Sequence, residues 1–221
     1  MGEFINIGST GTQCIGAYLA KPAGKPKGGV VVVQEIFGVN PHIRSVVDDY
    51  AAEGYLAIAP AVFDHLETGV ELGYDEAGMK KGIALISELG FERPLEDVAS
   101  AAEAIKSAGK IAVVGFCWGG SIAYLAAIKL GMPAVSYYGG RNTQLVGMQA
   151  KAPLMFHYGL KDAHISAEDR EKVRAANPTA EFYVYDADHG FNCGARASFD
   201  AAAAKLARTR TLAFFAKQLG G

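Results

Sequence analysis

A chain of 221 residues, 50% hydrophobic and 20% charged with a formal net charge of −2, suits one domain with a large core and excludes disorder and fibrous repeats. Near-neutral charge provides no positive field to gather nucleic acid, and no apolar run is long enough to cross a bilayer, so neither nucleic acid nor a membrane is an expected partner. The start, Met1-Gly2-Glu3-Phe4-Ile5-Asn6, lacks the basic-then-apolar pattern of a leader, and the expected location is cytoplasmic.

In chain order, 4–7 and 15–20 flank Gly8-Ser9-Thr10-Gly11 and read as an antiparallel hairpin at a sheet edge. Gly29 to Gln34 is an unbroken β-branched run, as expected of a strand covered on both faces. Similar runs at 55–59, 111–116, 134–138, 154–158 and 181–185 read as further parallel strands. Helical stretches are expected at 41–53, 78–90, 94–108, 120–131, 166–176 and 196–218, with Pro94 in a first turn and Ser166 as an N-cap. The alternation predicts one α/β domain over 1–221, a mostly parallel sheet with helices on both faces and an antiparallel N-terminal edge hairpin. In such sheets ligands sit beyond the carboxyl ends of the strands.

Gly115-Phe116-Cys117-Trp118-Gly119-Gly120 follows a β-branched strand and precedes an apolar helix, the context of a nucleophile elbow. A helix beginning just after Cys117 aims N–H groups at its sulfur, favouring thiolate, and Trp118 N–H becomes an oxyanion donor. Glycines two residues either side of Cys117 set this reading above that of a buried small hydrophobe. Among five histidines, His189 in Asp188-His189-Gly190-Phe191 follows the last strand, where a base belongs, whereas His157 lies within an apolar strand and reads as core. Asp162 follows the preceding strand and would orient the imidazole; Asp186 and Asp188 compete but read as turn residues. The order Cys117, Asp162, His189 is that of α/β-hydrolases. Glu35 ends the first central strand, and Ile36 N–H is the expected second oxyanion donor. A carboxylate approaching Cys117 would oppose the thiolate and keep a neutral thiol at rest until substrate arrives.

These residues resemble the dienelactone hydrolase (carboxymethylenebutenolidase) family along essentially the whole chain, through Gln34-Glu35-Ile36-Phe37-Gly38, the Gly115–Gly120 elbow, Tyr158-Gly159-Leu160-Lys161-Asp162 and Asp188-His189-Gly190-Phe191. The resemblance implies an α/β-hydrolase fold and a cofactor-free, metal-free hydrolase of small ester or lactone substrates. It implies a Cys117–His189–Asp162 triad in which Glu35 holds the resting thiol and helps switch it on. Lactone-cleaving members bind a substrate carboxylate with arginines from the mid-chain helical region and from shortly after the catalytic histidine. Here those regions offer Lys80, Lys81 and Arg93, then Arg196, and lysine lacks the bidentate fork of arginine. Lys80, Lys81, Phe37, Tyr138 and Arg196 are therefore the substrate-binding candidates, against a reading as surface charge or simple packing.

Three cysteines, Cys14, Cys117 and Cys193, form no disulfide framework and no CxxC metal spacing, so at least one thiol is free and no metal is expected. A grouping of Cys193 with Cys117 and His189 around a metal lacks a tight ligand pair. Two other readings of the chain are a small-molecule-binding protein on a degenerate hydrolase pocket and redox cycling of Cys117 or Cys193. Nothing in the sequence demands a dimer, and a monomer is expected.

Overall fold

The computed structural model describes residues 1–8 and 14–220. Its strands form one eight-stranded sheet in the order β1-β2-β4-β3-β5-β6-β7-β8. They are β1 Glu3–Gly8, β2 Cys14–Ala20, β3 Gly29–Val33, β4 Leu56–Pro60, β5 Ile111–Phe116, β6 Ala134–Tyr137, β7 Leu154–Gly159 and β8 Glu181–Tyr185. β1 pairs antiparallel with β2 and β2 antiparallel with β4, while the remaining pairs are parallel. The hairpin thus lies at the sheet edge as expected; residues 9–11 of its expected turn lie outside the described residues.

Among the described residues six α-helices lie between or after the strands: α1 Pro41–Ala52, α2 Glu76–Leu89, α3 Glu92–Ala104, α4 Trp118–Lys129, α5 Ala167–Ala176 and α6 Ala201–Leu219. α1 and α6 pack together, with Tyr50 against Phe215 and Arg208 paired with Glu53, and cover one face of the sheet. α3 and α4 cover the other. Every residue of β3, β4 and β7 is buried, the physical counterpart of their apolar composition without polar alternation.

Local chemistry sets the helix ends. Ser166 and Asp169 form a reciprocal capping box on α5, and Pro94 sits in the first turn of α3, where its missing N–H costs nothing. α6 departs from expectation by starting at Ala201 rather than 196. The side chain of Asp200 accepts the amide of Ala203 and caps the helix there, and the residues before it are held in turns, with Arg196 N–H on the Cys193 carbonyl and Phe199 N–H on that of Arg196.

Parallel register brings the strand ends to one edge. Val33 lies beside Gly115, Phe116 beside Tyr137, and Gly159 beside Tyr185. The residues just beyond those ends, Glu35, Cys117, Tyr138, Asp162 and His189, therefore converge on the same rim of the sheet.

Candidate active site

Cys117 sits between β5 and α4 with φ 54° and ψ −119°, a left-handed strain that a non-glycine residue adopts only where its surroundings hold it. Those surroundings are specific. Cys117 N–H donates to the Tyr137 carbonyl at 3.0 Å, and a Cβ at Gly119 would collide with the backbone carbonyls of Val33 and Gln34. The tight approach of α4 to β3 thus requires glycine at that position. It also directs the N-terminus of a twelve-residue helix at the sulfur.

The sulfur faces His189, whose Nε2 lies 3.2 Å from Cys117 Sγ. On the far side of the ring, Nδ1–H donates to Asp162 Oδ2 at 2.7 Å, and Asp162 Oδ1 accepts the amide of His164 at 2.8 Å. Burial opposes a proton on His189, but the charges of Cys117 and Asp162 and their hydrogen bonds outweigh it and raise its pKa to about 10. The arrangement favours a charged imidazolium between a sulfur and a carboxylate.

Asp186 and Asp188 are occupied as turn residues. Asp186 pairs with Lys161 at 3.0 Å, and Asp188 accepts the His189 amide at 2.6 Å. His157 is a core residue, bonded to Tyr185 and Thr211, and burial lowers its pKa to about 3.

A cavity of about 240 Å³ opens over Cys117, lined by Ile36, Phe37, Trp118, His189 and Arg196 among others. Ile36 and Trp118 thus both reach it, and among the described residues neither backbone amide donates a hydrogen bond. Phe37 and Arg196 take their expected places as lining. Lys80 and Lys81 do not: both are exposed, and Lys81 pairs with Glu67. Helical periodicity directs Met79, Ile83 and Ile86 to the cavity, because residues four and three apart share a face. α2 lies close over the strand end, since a Cβ at Gly82 would strike the Ile36 carbonyl. Tyr138 is packed beneath rather than lining the cavity. It is fully buried, its ring lies 5.1 Å from that of His189, and its hydroxyl has no hydrogen-bond partner among the described residues.

Glu35 is buried near this cavity, 1% exposed, but its carboxylate is engaged away from the thiol. Arg196 Nη1 donates to Oε1 at 3.4 Å and Tyr74 donates to Oε2 at 3.3 Å. Among the described residues no hydrogen bond joins Glu35 to Cys117, so the expected resting contact gives way to the Cys117–His189 pair. The reason is electrostatic: a buried carboxylate takes a guanidinium partner in preference to a thiol.

Sequence reasoning missed His164, Arg141 and the apolar face of α2, which also line the cavity. It missed Tyr74 as a partner of Glu35. The nearness of His164 to Asp162 in the chain was the one available signal. Among the described residues Cys193 groups not with Cys117 and His189 but with Glu35 and His42. Its sulfur lies within 4.8 Å of a ligand atom from each of Glu35 and His42.

Residues 15–219 match the model of the dienelactone hydrolase family. The chain is 38% identical over 220 residues to a protein of Azospirillum brasilense named "Putative carboxymethylenebutenolidase", covering 92% of this chain and 94% of that one. It is 34% identical to a carboxymethylenebutenolidase of a Pseudomonas species, over 95% and 93% of the two chains. Among solved structures, one titled "Putative Dienelactone Hydrolase" from Klebsiella pneumoniae superposes with a TM-score of 0.85 at 35% identity, covering 98% of each chain. Fold, rim of strand ends and relatives agree, and the chain belongs to the dienelactone hydrolase family.

Proposed function

We propose that this chain is a cysteine-dependent hydrolase of small ester or enol-lactone substrates. The observation that carries the reading is the continuous line from Cys117 Sγ through His189 to Asp162, at 3.2 and 2.7 Å, at the floor of a cavity large enough for a small molecule. Names of full-length relatives support the same substrate class.

In this mechanism the sulfur of Cys117 attacks the substrate carbonyl carbon, and the C–S bond forms as the carbonyl π electrons move to oxygen. The amides of Ile36 and Trp118 receive the oxyanion. Collapse breaks the C–O bond, and His189 gives its Nε2 proton to the leaving oxygen. With a lactone that oxygen stays tethered to the acyl group. Water then attacks the thioester, His189 accepts its proton, and the carboxylate product departs as sulfur is released. Asp162 keeps the imidazole oriented throughout. Glu35 acts at one remove, by holding Arg196 at the cavity wall.

The reading includes action without a cofactor, as a monomer in the cytoplasm. Among the described residues no helix is long and apolar enough to cross a membrane. Met79, Ile83 and Ile86 beside Arg141 and Arg196 also suit a broader carboxylesterase or thioesterase role on apolar substrates bearing an anionic group. A panel of lactones, aryl esters and thioesters, each with and without a carboxylate, separates the two. Turnover confined to carboxylated lactones supports the narrow reading, broad turnover the wider one, and full turnover by Cys117→Ala contradicts both.

A further inference from the structure

Behind the Cys117 cavity, three groups of different chemistry converge from three chain segments. They are the carboxylate of Glu35 after β3, the imidazole of His42 in the first turn of α1, and the thiol of Cys193 in the loop after His189. One oxygen, one nitrogen and one sulfur lie within 4.8 Å of one another. Glu35 and Cys193 are buried, and Nε2 of His42 is buried with no hydrogen-bond partner among the described residues. An unsatisfied buried nitrogen costs on the order of 1–3 kcal/mol, so something that accepts its lone pair or offers it a proton would relieve the fold.

We propose that Glu35, His42 and Cys193 form a binding site for a thiophilic divalent cation of the zinc type. The donor set of thiolate, imidazole and carboxylate is the one such ions select, with three protein ligands and an open fourth position. Metal–ligand bonds of about 2.0–2.3 Å place tetrahedral ligand atoms roughly 3.3–3.8 Å apart. The three groups therefore need to draw together by about 1 Å, within the reach of side-chain rotation.

Binding exchanges the Cys193 S–H bond for a metal–sulfur bond and releases the proton to solvent. The cation also takes the place of Arg196 as the charge partner of Glu35, which frees the guanidinium toward the ester cavity that it already lines. His42 also lines a second cavity, of about 720 Å³, together with Asn192 and Gly194, which flank Cys193.

The test uses the full chain carrying Cys117→Ala, so that Cys117, His189 and Asp162 cannot themselves supply a thiolate site. Zn²⁺ affinity is measured by competition with a chromophoric chelator, and Co²⁺ serves as a spectroscopic probe of thiolate ligation. The proposal expects one equivalent of Zn²⁺, a thiolate-to-cobalt absorption band, and at least a tenfold loss of affinity on adding either His42→Gln or Cys193→Ser, with the band lost in the latter. Circular dichroism of each variant checks that it folds, and either substitution alone is sufficient for the affinity comparison. The absence of stoichiometric binding to Cys117→Ala would overturn the site and leave the nitrogen to a buried water. Binding unaffected by both further substitutions would also overturn it and point to the exposed Cys14. No arm reads ester turnover, so failure here leaves the hydrolase reading untouched.

Discussion

His189 Nε2 stands 3.2 Å from Cys117 Sγ, close enough for the sulfur to bias the charge of the imidazole. With the folded pKa of His189 at about 10, above the ordinary value of about 6.5, the imidazole stays protonated through neutral pH and loses its proton as pH rises toward 10. Cys117 is the largest of the influences that raise it, so Cys117→Ala leaves burial opposed by Asp162 alone. Nitrogen-detected NMR of His189 is expected to show the proton lost at distinctly lower pH in the variant. An identical titration in both proteins would mean that the sulfur is not the charge partner.

Asp162 supports that ring from behind. Asp162→Asn preserves shape but presents an amide that can hold the wrong imidazole tautomer, and kcat is expected to fall by about 10²–10⁴ with little change in KM. A fall in kcat/KM arising from KM alone would assign Asp162 to substrate binding instead.

His157 makes the opposite pH statement. Burial, reinforced by the charge of Arg210, holds its folded pKa at about 3, against about 6.5 unfolded. Between those values the unfolded chain takes up a proton that the folded chain refuses, so stability is lost as pH falls through 6.5 toward 3. The slope contributed by this residue is about 1.4 kcal/mol per pH unit in that window. Urea midpoints from pH 7 to 4 are expected to decline less steeply in His157→Gln than in the wild type. Parallel declines would place the acid sensitivity elsewhere.

Gly119 is set by packing rather than by chemistry. Its missing side chain lets α4 touch the carbonyls of Val33 and Gln34, so Gly119→Ala is expected to cost about 1–3 kcal/mol and to displace the sulfur from His189. A thermal-unfolding midpoint and turnover rate both equal to wild type would show that the elbow relaxes freely.

The most legible parts of the sequence were those in which one residue type answers one local demand. An unbroken β-branched run marked β3 and similar apolar runs its neighbours, glycines around Cys117 marked a turn that a Cβ would block, and Cys117, Asp162 and His189 each follow a strand, β5, β7 and β8 in chain order. Relations between segments distant in sequence were harder to read. Whether α2 turns Lys80 or Met79 toward the cavity depends on its rotation over Ile36, fixed by close packing at Gly82. Glu35 reads as a neighbour of the thiol until Arg196 folds back over it. The start of α6 reads early in the sequence because Asp200, the residue that caps it, lies within a stretch whose alanines already favour helix.

The central claim is that Cys117 carries the acyl group. Rapid acid quenching of the enzyme with a slowly hydrolysed aryl ester, followed by intact-mass and peptide mass analysis, tests it directly. The account predicts an adduct of acyl mass on the Cys117 peptide, released by hydroxylamine at neutral pH as a thioester should be and absent in Cys117→Ala. Steady turnover by a Cys117→Ala variant, or an acyl group found on another residue, would contradict it.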